Sequence, residues 1–271
     1  MPLSRLLYYI SSIPTLLTGI KNLPTVIAAL LNRRAHKTFI VELRDGTRYY
    51  VRSPMDVWVL KEACLDHQYE QFSVPIQDGW VVLDIGAGLG DFAVSVAHAH
   101  PHCVVYAYEP FPESFQLLQK NLQLNQIQNV KAAPCAIGGQ AGTTQLQLIT
   151  PEAVQHSTAS AGGHERSGIT VDSITLAQVF SEQKIDHIDY VKMDCEGAEY
   201  ETFFNASPAT LAKIKHICLE HHDGVTPYSH LDLIRFFEQN GFQAKRIPNP
   251  VHRDLGLVYA VNPTRPTQRI T

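Results

Sequence analysis

Several things are scarce in this chain of 271 residues, and each scarcity removes a class of protein. The five cysteines (Cys64, Cys103, Cys135, Cys195, Cys218) are an odd, scattered set with no CxxC spacing. They suggest neither a disulfide framework nor a zinc site, and reduced cysteines inside a cytoplasmic protein are the expectation. Basic charge is not in surplus. Against 22 Lys and Arg stand 26 Asp and Glu, a net charge of −4, so no broad basic surface points to nucleic acid. An unbroken apolar run of about 20 residues, the length of a membrane span, is also missing. Residues 3–31 come nearest, with LLYYI, LLTGI and VIAALL, but Pro14 and Pro24 interrupt them and Arg5, Lys21 and Asn22 add polarity. No short apolar region followed by a small-residue cleavage site marks a signal peptide. Residues 1–37 are therefore expected to form two or three short helices, and residues 1–35 to pack on the domain, form a homodimer contact or touch a membrane surface peripherally. What is left, 45% hydrophobic and 18% charged, is an ordinary globular balance with length enough for a substantial core.

Residues 38–79 read as an attachment ahead of the main sheet. TFIVELRDGTRYYVR alternates apolar and polar on both sides of Asp45-Gly46, a hairpin signal in which both turn residues are expected at positive φ. DVWVLKEACLDHQY then carries Val57, Leu60, Cys64 and Leu65 on one helical stripe, with Asp56 as the expected N-cap. From residue 80 to 262 buried strands alternate with helices. VVLDIG, VVYAYEP, NVKAAPCAIG, IDYVKMD and HICLEHH read as strands, and DFAVSVAHA, ESFQLLQKNLQLN, DSITLAQVFSEQ and HLDLIRFFEQN as helices. FQAKRI and GLVYAV look like a closing antiparallel pair. Such alternation implies a parallel sheet covered on both faces, with ligands beyond the carboxyl ends of its strands. An insertion at 138–170, rich in Gly, Ser, Thr and Ala, has one candidate strand, TTQLQLI, and is either a specificity loop or surface decoration. Residues 263–271 are a tail.

The densest signal is GWVVLDIGAGLGDFAVSVA. A dinucleotide turn requires G-x-G-x-x-G, whose third glycine stands beside a pyrophosphate. Here the glycines are Gly86, Gly88 and Gly90, and Asp91 occupies the place of the third. A carboxylate there suits the helix dipole but competes for the N–H groups a pyrophosphate would use. The order suits a cofactor without phosphate at that point. Asp84, at the strand end, can receive a cationic or ammonium group, and Glu109, ending YAYEP, can accept hydrogen bonds from both hydroxyls of a ribose. S-adenosyl-L-methionine has a sulfonium, an amine and a ribose, and no phosphate.

LDIGAGLGDF, YAYEPFPESFQLLQKNLQLN, PCAIGG, GITVDSITL and YVKMDCEGAEYE together resemble the FkbM-type family of S-adenosylmethionine-dependent methyltransferases, over about residues 38–260. The resemblance implies a class I, Rossmann-like, doubly wound α/β fold: a mostly parallel seven-stranded sheet with a reversed last strand, preceded here by the N-terminal helices and hairpin. It implies O-methylation of hydroxyls on natural products, sugars or glycans. Carried over position by position, Asp84, Ile85, Gly86, Ala87, Gly88 and Gly90 would line the methionine end of the cofactor. Glu109 would hold the ribose, Pro110 or Phe111 would lie near the adenine, and Cys135 and Ala136 would edge it. The family often has an acidic or amide residue near Gly139, a departure that bears on the adenine contact.

A hydroxyl acceptor needs a proton sink, and histidine is the usual one. Asp194 ends one strand and Glu220, His221 and His222 end the next, so Asp194 is expected to bind the acceptor or the cofactor amine. His221 or His222 is expected to be the base. Adjacent strand residues point to opposite faces, so one histidine alone should enter the site. Lys192, two places before Asp194 in a buried strand, is read as a partner for a neighbouring carboxylate. Glu196 and Glu199 favour the following helix N-terminus. Asp194, Glu220 and a histidine could also ligate a divalent ion, although no dedicated ligand spacing supports a metal. His98, His100 and His102 read as exposed surface. A non-catalytic scaffold or membrane-associated binding protein that keeps the cofactor fold is the competing expectation.

Overall fold

The computed structural model describes residues 3–31, 38–148, 156–157 and 168–264. It begins with helices α1 (Leu3–Gly19) and α2 (Leu23–Leu31) and the antiparallel hairpin β1 (Phe39–Glu42) and β2 (Arg48–Val51). Pro14 lies inside α1 instead of ending a helix, whereas Pro24 sits in the first turn of α2, where no N–H is needed. The hairpin loop is also simpler than expected. Gly46 has φ +101, Asp45 is not at positive φ, and Asp45 Oδ1 accepts instead from Thr47 N. Next come α3 (Pro54–Leu60), a π-helical turn at Lys61–Leu65 and α4 (Gln68–Gln71). Ser53, not Asp56, caps α3: its hydroxyl accepts from Asp56 N, and the Asp56 carboxylate is held by Arg52.

The main unit continues with β3 (Val81–Ile85), α5 (Asp91–Ala99), β4 (Val104–Tyr108), α6 (Pro112–Leu124) and β5 (Val130–Ala133). Then follow β6 (Ala136–Ile137), β7 (Gly142–Leu148), β8 (His156–Ser157), β9 (Gly168–Ile174), α7 (Leu176–Gln183), β10 (Ile188–Met193), α8 (Ala198–Phe204) and α9 (Pro208–Leu211). The last elements are β11 (Ile214–His222), α10 (His230–Gln239), β12 (Gln243–Pro248) and β13 (Leu255–Val261). Seven strands form one sheet in the order β12-β13-β11-β10-β3-β4-β5, and β13, last in the chain, runs antiparallel to both neighbours. This is the parallel, doubly wound sheet with a closing antiparallel pair read from the strand–helix rhythm, in the seven-stranded order that the resemblance implies.

Strand alternation sorts the core into two layers. Val82, Val105, Tyr190 and Cys218 face α5, α6 and the N-terminal attachment, while Leu83, Tyr106, Val191 and Leu219 face α7, α8 and α10. The described residues of the insertion add strands beyond the single candidate TTQLQLI. β7 pairs with β9 over six residues, and with β6 and β8 they make a second, four-stranded sheet. Asp172, Ser173 and Ile174 end β9 instead of opening α7, which starts behind a Thr175–Gln178 capping box. Residues 149–155 and 158–167 of the insertion, and the tail beyond Thr264, lie outside the described residues. His98, His100 and His102 form no cluster: His102 pairs with Asp78 at the surface.

Candidate active site

The carboxyl ends of β3, β4, β10 and β11 border a cavity of about 610 Å³, roofed by α3, α4 and the second sheet. Its floor is the glycine turn. Gly86 (φ +72) crosses so close to β10 that a Cβ there would lie 2.0 Å from the Asp194 carbonyl oxygen, and no other residue fits. Most of the turn's amides are already used. Gly86 N and Ala87 N donate to the Tyr108 carbonyl, and Gly90 N to the Ala87 carbonyl. Gly88 N donates to Glu109 Oε2 at 2.7 Å, and Phe111 N to Glu109 Oε1 at 2.8 Å. Glu109 is thus fixed by main chain at the tip of β4, its remaining lone pairs facing the cavity. Burial nevertheless pushes its carboxyl up to about 7, against those two N–H groups.

Asp84 lies behind the turn. Its carboxylate is fully buried and does not reach the cavity wall; it lies 3.1 Å from Lys192 Nζ. The reason is register: Asp84 and Lys192 are directly opposed on β3 and β10, so their side chains leave the same face together. Lys192 Nζ also donates to the Gly86 carbonyl at 2.8 Å. Burial opposes the Lys192 charge, but Asp84, Asp194 and Asp91 outweigh it and hold the ammonium protonated. Lysine and aspartate together therefore buttress the glycine turn from behind. The expectation that Lys192 partners a carboxylate agrees with this geometry. Asp91, at the first position of α5, does line the cavity, and burial, partly offset by Lys192, raises its carboxyl to about 7.

Across the floor, the β10–β11 rim carries a knot of acids around one imidazole. His222 Nε2 lies 3.4 Å from Glu196 and 3.9 Å from Asp194, and Nδ1 lies 3.2 Å from Glu199 without hydrogen-bond alignment. Glu199 is anchored by Cys195 N and Gly197 N, and Asp194 by the Tyr69 hydroxyl at 3.0 Å. Glu196 occupies the left-handed region (φ 52), which turns its carboxylate toward His222. Burial lifts Glu196 to about 7, opposed by His222 and reinforced by Asp194 and Glu199. Glu220 stands well above the usual carboxylate range, through burial and then the Asp194 charge. Burial works against a proton on His222, yet Glu199, Glu220 and Glu196 overcome it and hold the ring well above the ordinary histidine range.

His221 lies on the opposite face, fully buried. Its Nδ1 is 3.1 Å from Asp223, its Nε2 accepts from Arg246 Nε at 3.1 Å, and burial lowers it to about 4. Both ring nitrogens are engaged away from the cavity. Of the sequence-derived residues, Ile85, Gly86, Gly88, Glu109, Pro110, Ala136, Asp194, Glu220 and His222 line the cavity. Asp84, Ala87, Gly90, Phe111, Cys135 and His221 do not. Phe111 instead packs beside Ala136, Leu146 and Val171, and Cys135 against the β4 side of the core. Gly139 has no space for a side chain, since a Cβ there would meet Glu201 and Asn205 at 2.6 Å. Tyr69, Trp58, Glu62 and Asn249 also line the cavity; they come from distant segments that no local spacing connects to the strand ends. Among the described residues, two triads bring one ligand atom each within 4.8 Å: Asp194, Glu220 and His222 in the cavity, and His221, Asp223 and His230 behind the sheet.

Sheet order, glycine turn and strand-tip carboxylate define an S-adenosylmethionine-dependent methyltransferase of class I. Within that class the chain belongs to the FkbM family: the Methyltransferase FkbM domain matches residues 84–244. Methyltransferase sdnD of Sordaria araneosa is 26% identical over 234 residues, 74% of this chain and 88% of that protein. The 31-O-demethyl-FK506 methyltransferase FkbM of Streptomyces tacrolimicus is 23% identical over 194 residues, 61% of this chain and 74% of the relative. Among solved structures, methyltransferase FkbM from Methylobacillus flagellatus aligns at a TM-score of 0.49 and 15% identity, covering 75% of this chain and 53% of that one. A SAM-dependent methyltransferase from Aquifex aeolicus aligns at 0.44 and 13%, covering 78% and 98%. The residues present fit the family's cofactor: the occupied turn amides leave little for a diphosphate, and the Glu109 carboxylate is set for a diol.

Proposed function

We propose that the protein transfers the methyl group of S-adenosylmethionine to a hydroxyl oxygen of a natural product, sugar or glycan. The observation that carries this reading is the placement of His222 and Glu220 beside Asp194 on the β10–β11 rim of the cavity that Glu109 borders from β4. The name of the Streptomyces relative, a 31-O-demethyl-FK506 methyltransferase, supports oxygen as the acceptor atom.

When bound, the cofactor supplies a methyl group made electrophilic by its sulfonium. Everything else falls to the chain. Glu109 accepts from the two ribose hydroxyls, and Pro110 and Ala136 flank the adenine. Ile85, Gly86 and Gly88 follow the methionine end. Asp194, steadied by Tyr69, receives the amine or orients the acceptor. In-line displacement gains most from such positioning. His222 Nε2 takes the acceptor proton, with Glu220 and Glu196 stabilising the imidazolium that results. Those carboxylates keep the ring protonated in the free protein, so it becomes a base only when positive charge arrives nearby or pH rises. Turnover is therefore expected to increase with pH along a limb set above the ordinary histidine range.

Calorimetric titration with S-adenosylmethionine, S-adenosylhomocysteine and NAD, followed by labelled methyl transfer into a panel of hydroxylated acceptors, tests the reading. Binding of the first two ligands and label recovered on oxygen are expected. Label recovered on nitrogen would overturn the acceptor assignment.

A further inference from the structure

The cavity has an aromatic wall that the methyl-transfer reading leaves unused. Tyr9 of α1 and Pro54, Met55, Trp58 and Val59 of α3 line it. Half-buried Trp58 is held from several sides. Its Nε1 donates to Glu62 Oε1 at 2.8 Å, one helical turn on, and the Tyr8 hydroxyl donates to the same oxygen at 2.7 Å. Tyr8 and Tyr9 meet the indole edge-on, with ring centroids 5.7 and 5.2 Å away. Lys61 Nζ, fixed by Asp66 at 2.6 Å, lies 4.7 Å from the indole centroid and 4.5 Å from that of Tyr8. An aromatic side chain with so little freedom left gives up little entropy when a ligand stacks on it.

Charge then selects the ligand. Among the described residues, seven Asp and Glu line the cavity against one Lys and one Arg. Lys192 is taken by Asp84 and the Gly86 carbonyl, and Arg52 by Asp56. Each of these two cations already has its carboxylate, and a phosphate or carboxylate on an acceptor would enter a field of like charge. An ammonium on the acceptor would instead meet Lys61, which already lies over both rings of the wall. Glu62 ties the wall to the chemistry: Glu220, raised by burial and then by Asp194, feels the Glu62 charge as well.

We propose that Trp58 and Tyr9 form the acceptor subsite and stack an uncharged hydroxylated ring, presenting its hydroxyl to the β10–β11 rim. The subsite rests on the methyl-transfer reading, but its binding is measured without turnover. Trp58 and Trp80 are the two tryptophans, and Trp80 is buried against His216, so Trp80→Phe leaves Trp58 as the fluorescent reporter. With S-adenosylhomocysteine bound, phenyl β-D-glucopyranoside is titrated beside its charged relatives phenyl β-D-glucuronide and phenyl 2-amino-2-deoxy-β-D-glucopyranoside. The neutral glycoside is expected to change Trp58 emission and to bind about tenfold more tightly than either charged one. In calorimetry Trp58→Ala should weaken it about tenfold and Tyr9→Ala about threefold, with S-adenosylhomocysteine affinity unchanged. Tyr9 is exposed and its loss keeps the Trp58–Glu62 bond, so this variant reports even where Trp58→Ala fails to fold. Binding of S-adenosylhomocysteine without any glycoside would overturn the subsite and leave the methyl-transfer reading standing. Equal affinity for the three glycosides, or no loss from either variant, would overturn it too. Failure of S-adenosylhomocysteine itself to bind would overturn the methyl-transfer reading and the subsite with it.

Discussion

The two rims of the cavity handle negative charge in different ways. At the β3–β4 rim, Glu109 is held by the amides of Gly88 and Phe111, while Asp84 lies against Lys192, a fixed cation that also offsets Asp91. At the β10–β11 rim, Asp194, Glu196, Glu199 and Glu220 share one imidazole between them. The first rim is a preset receptor whose shape depends little on what is bound. The second is under-neutralised, and its proton count responds to the charge of a ligand. Under the proposed reaction, binding and chemistry fall on opposite sides of the β3–β10 boundary.

The largest test of this contrast is Lys192→Met, which strands Asp84 beneath the glycine turn. A loss of about 3–5 kcal/mol in urea unfolding is expected, with most of it restored by adding Asp84→Asn. A loss near zero would remove the buttress from the first rim. Next in size is His222→Gln, expected to lower kcat by about a hundred- to a thousandfold while S-adenosylhomocysteine still binds. His221→Gln, outside the cavity, should change kcat less than tenfold or so and lower Tm instead. Equal effects on kcat from the two histidines would erase the division of faces. Glu109→Gln should weaken cofactor binding about ten- to a hundredfold in calorimetry, whereas Glu220→Gln should change it by no more than a few fold.

The smallest effect is a pH dependence. Asp91, Glu109 and Glu196 lie near 7 in the fold against ordinary values of 3.8 and 4.5, so between those limits the folded state binds more protons than the unfolded one. Stability then falls as pH rises across that window, and the raised His222 extends the fall above its unfolded value. Scanning fluorimetry should show the free protein's Tm dropping by several degrees from pH 5 to pH 8. Saturating S-adenosylmethionine, a net cation, should flatten the slope. A slope unchanged by the cofactor would separate these acids from its site.

Legibility followed the same division. The glycine turn, Glu109 and the DCEGAE stretch were legible because residue type and short spacing mark them, although Gly88 holds Glu109 from 21 positions away. Strand parity gave one histidine to the cavity, but which one depended on the β11 register against β10 and β13. The partner of Asp84 was not legible, because a strand-end carboxylate looks free until the opposing strand supplies Lys192 from more than a hundred positions away. Tyr69 reaches Asp194 across 125 residues of sequence, a contact no periodicity encodes. In the N-terminal attachment, Ser53 and Asp56 are both competent caps, and the Arg52 ion pair removed Asp56 from the role.

Glu196 shows what the second rim costs to build. A side chain in the left-handed basin is disfavoured by about 1–2 kcal/mol, and glycine would occupy that corner without strain. The adjoining Gly197 already does, at φ 109. A chain selected for a strain-free corner alone would carry two glycines in succession there. Keeping a carboxylate instead trades thermal robustness for a proton-responsive contact, so Glu196→Gly should yield a hardier protein whose His222 titrates closer to free imidazole.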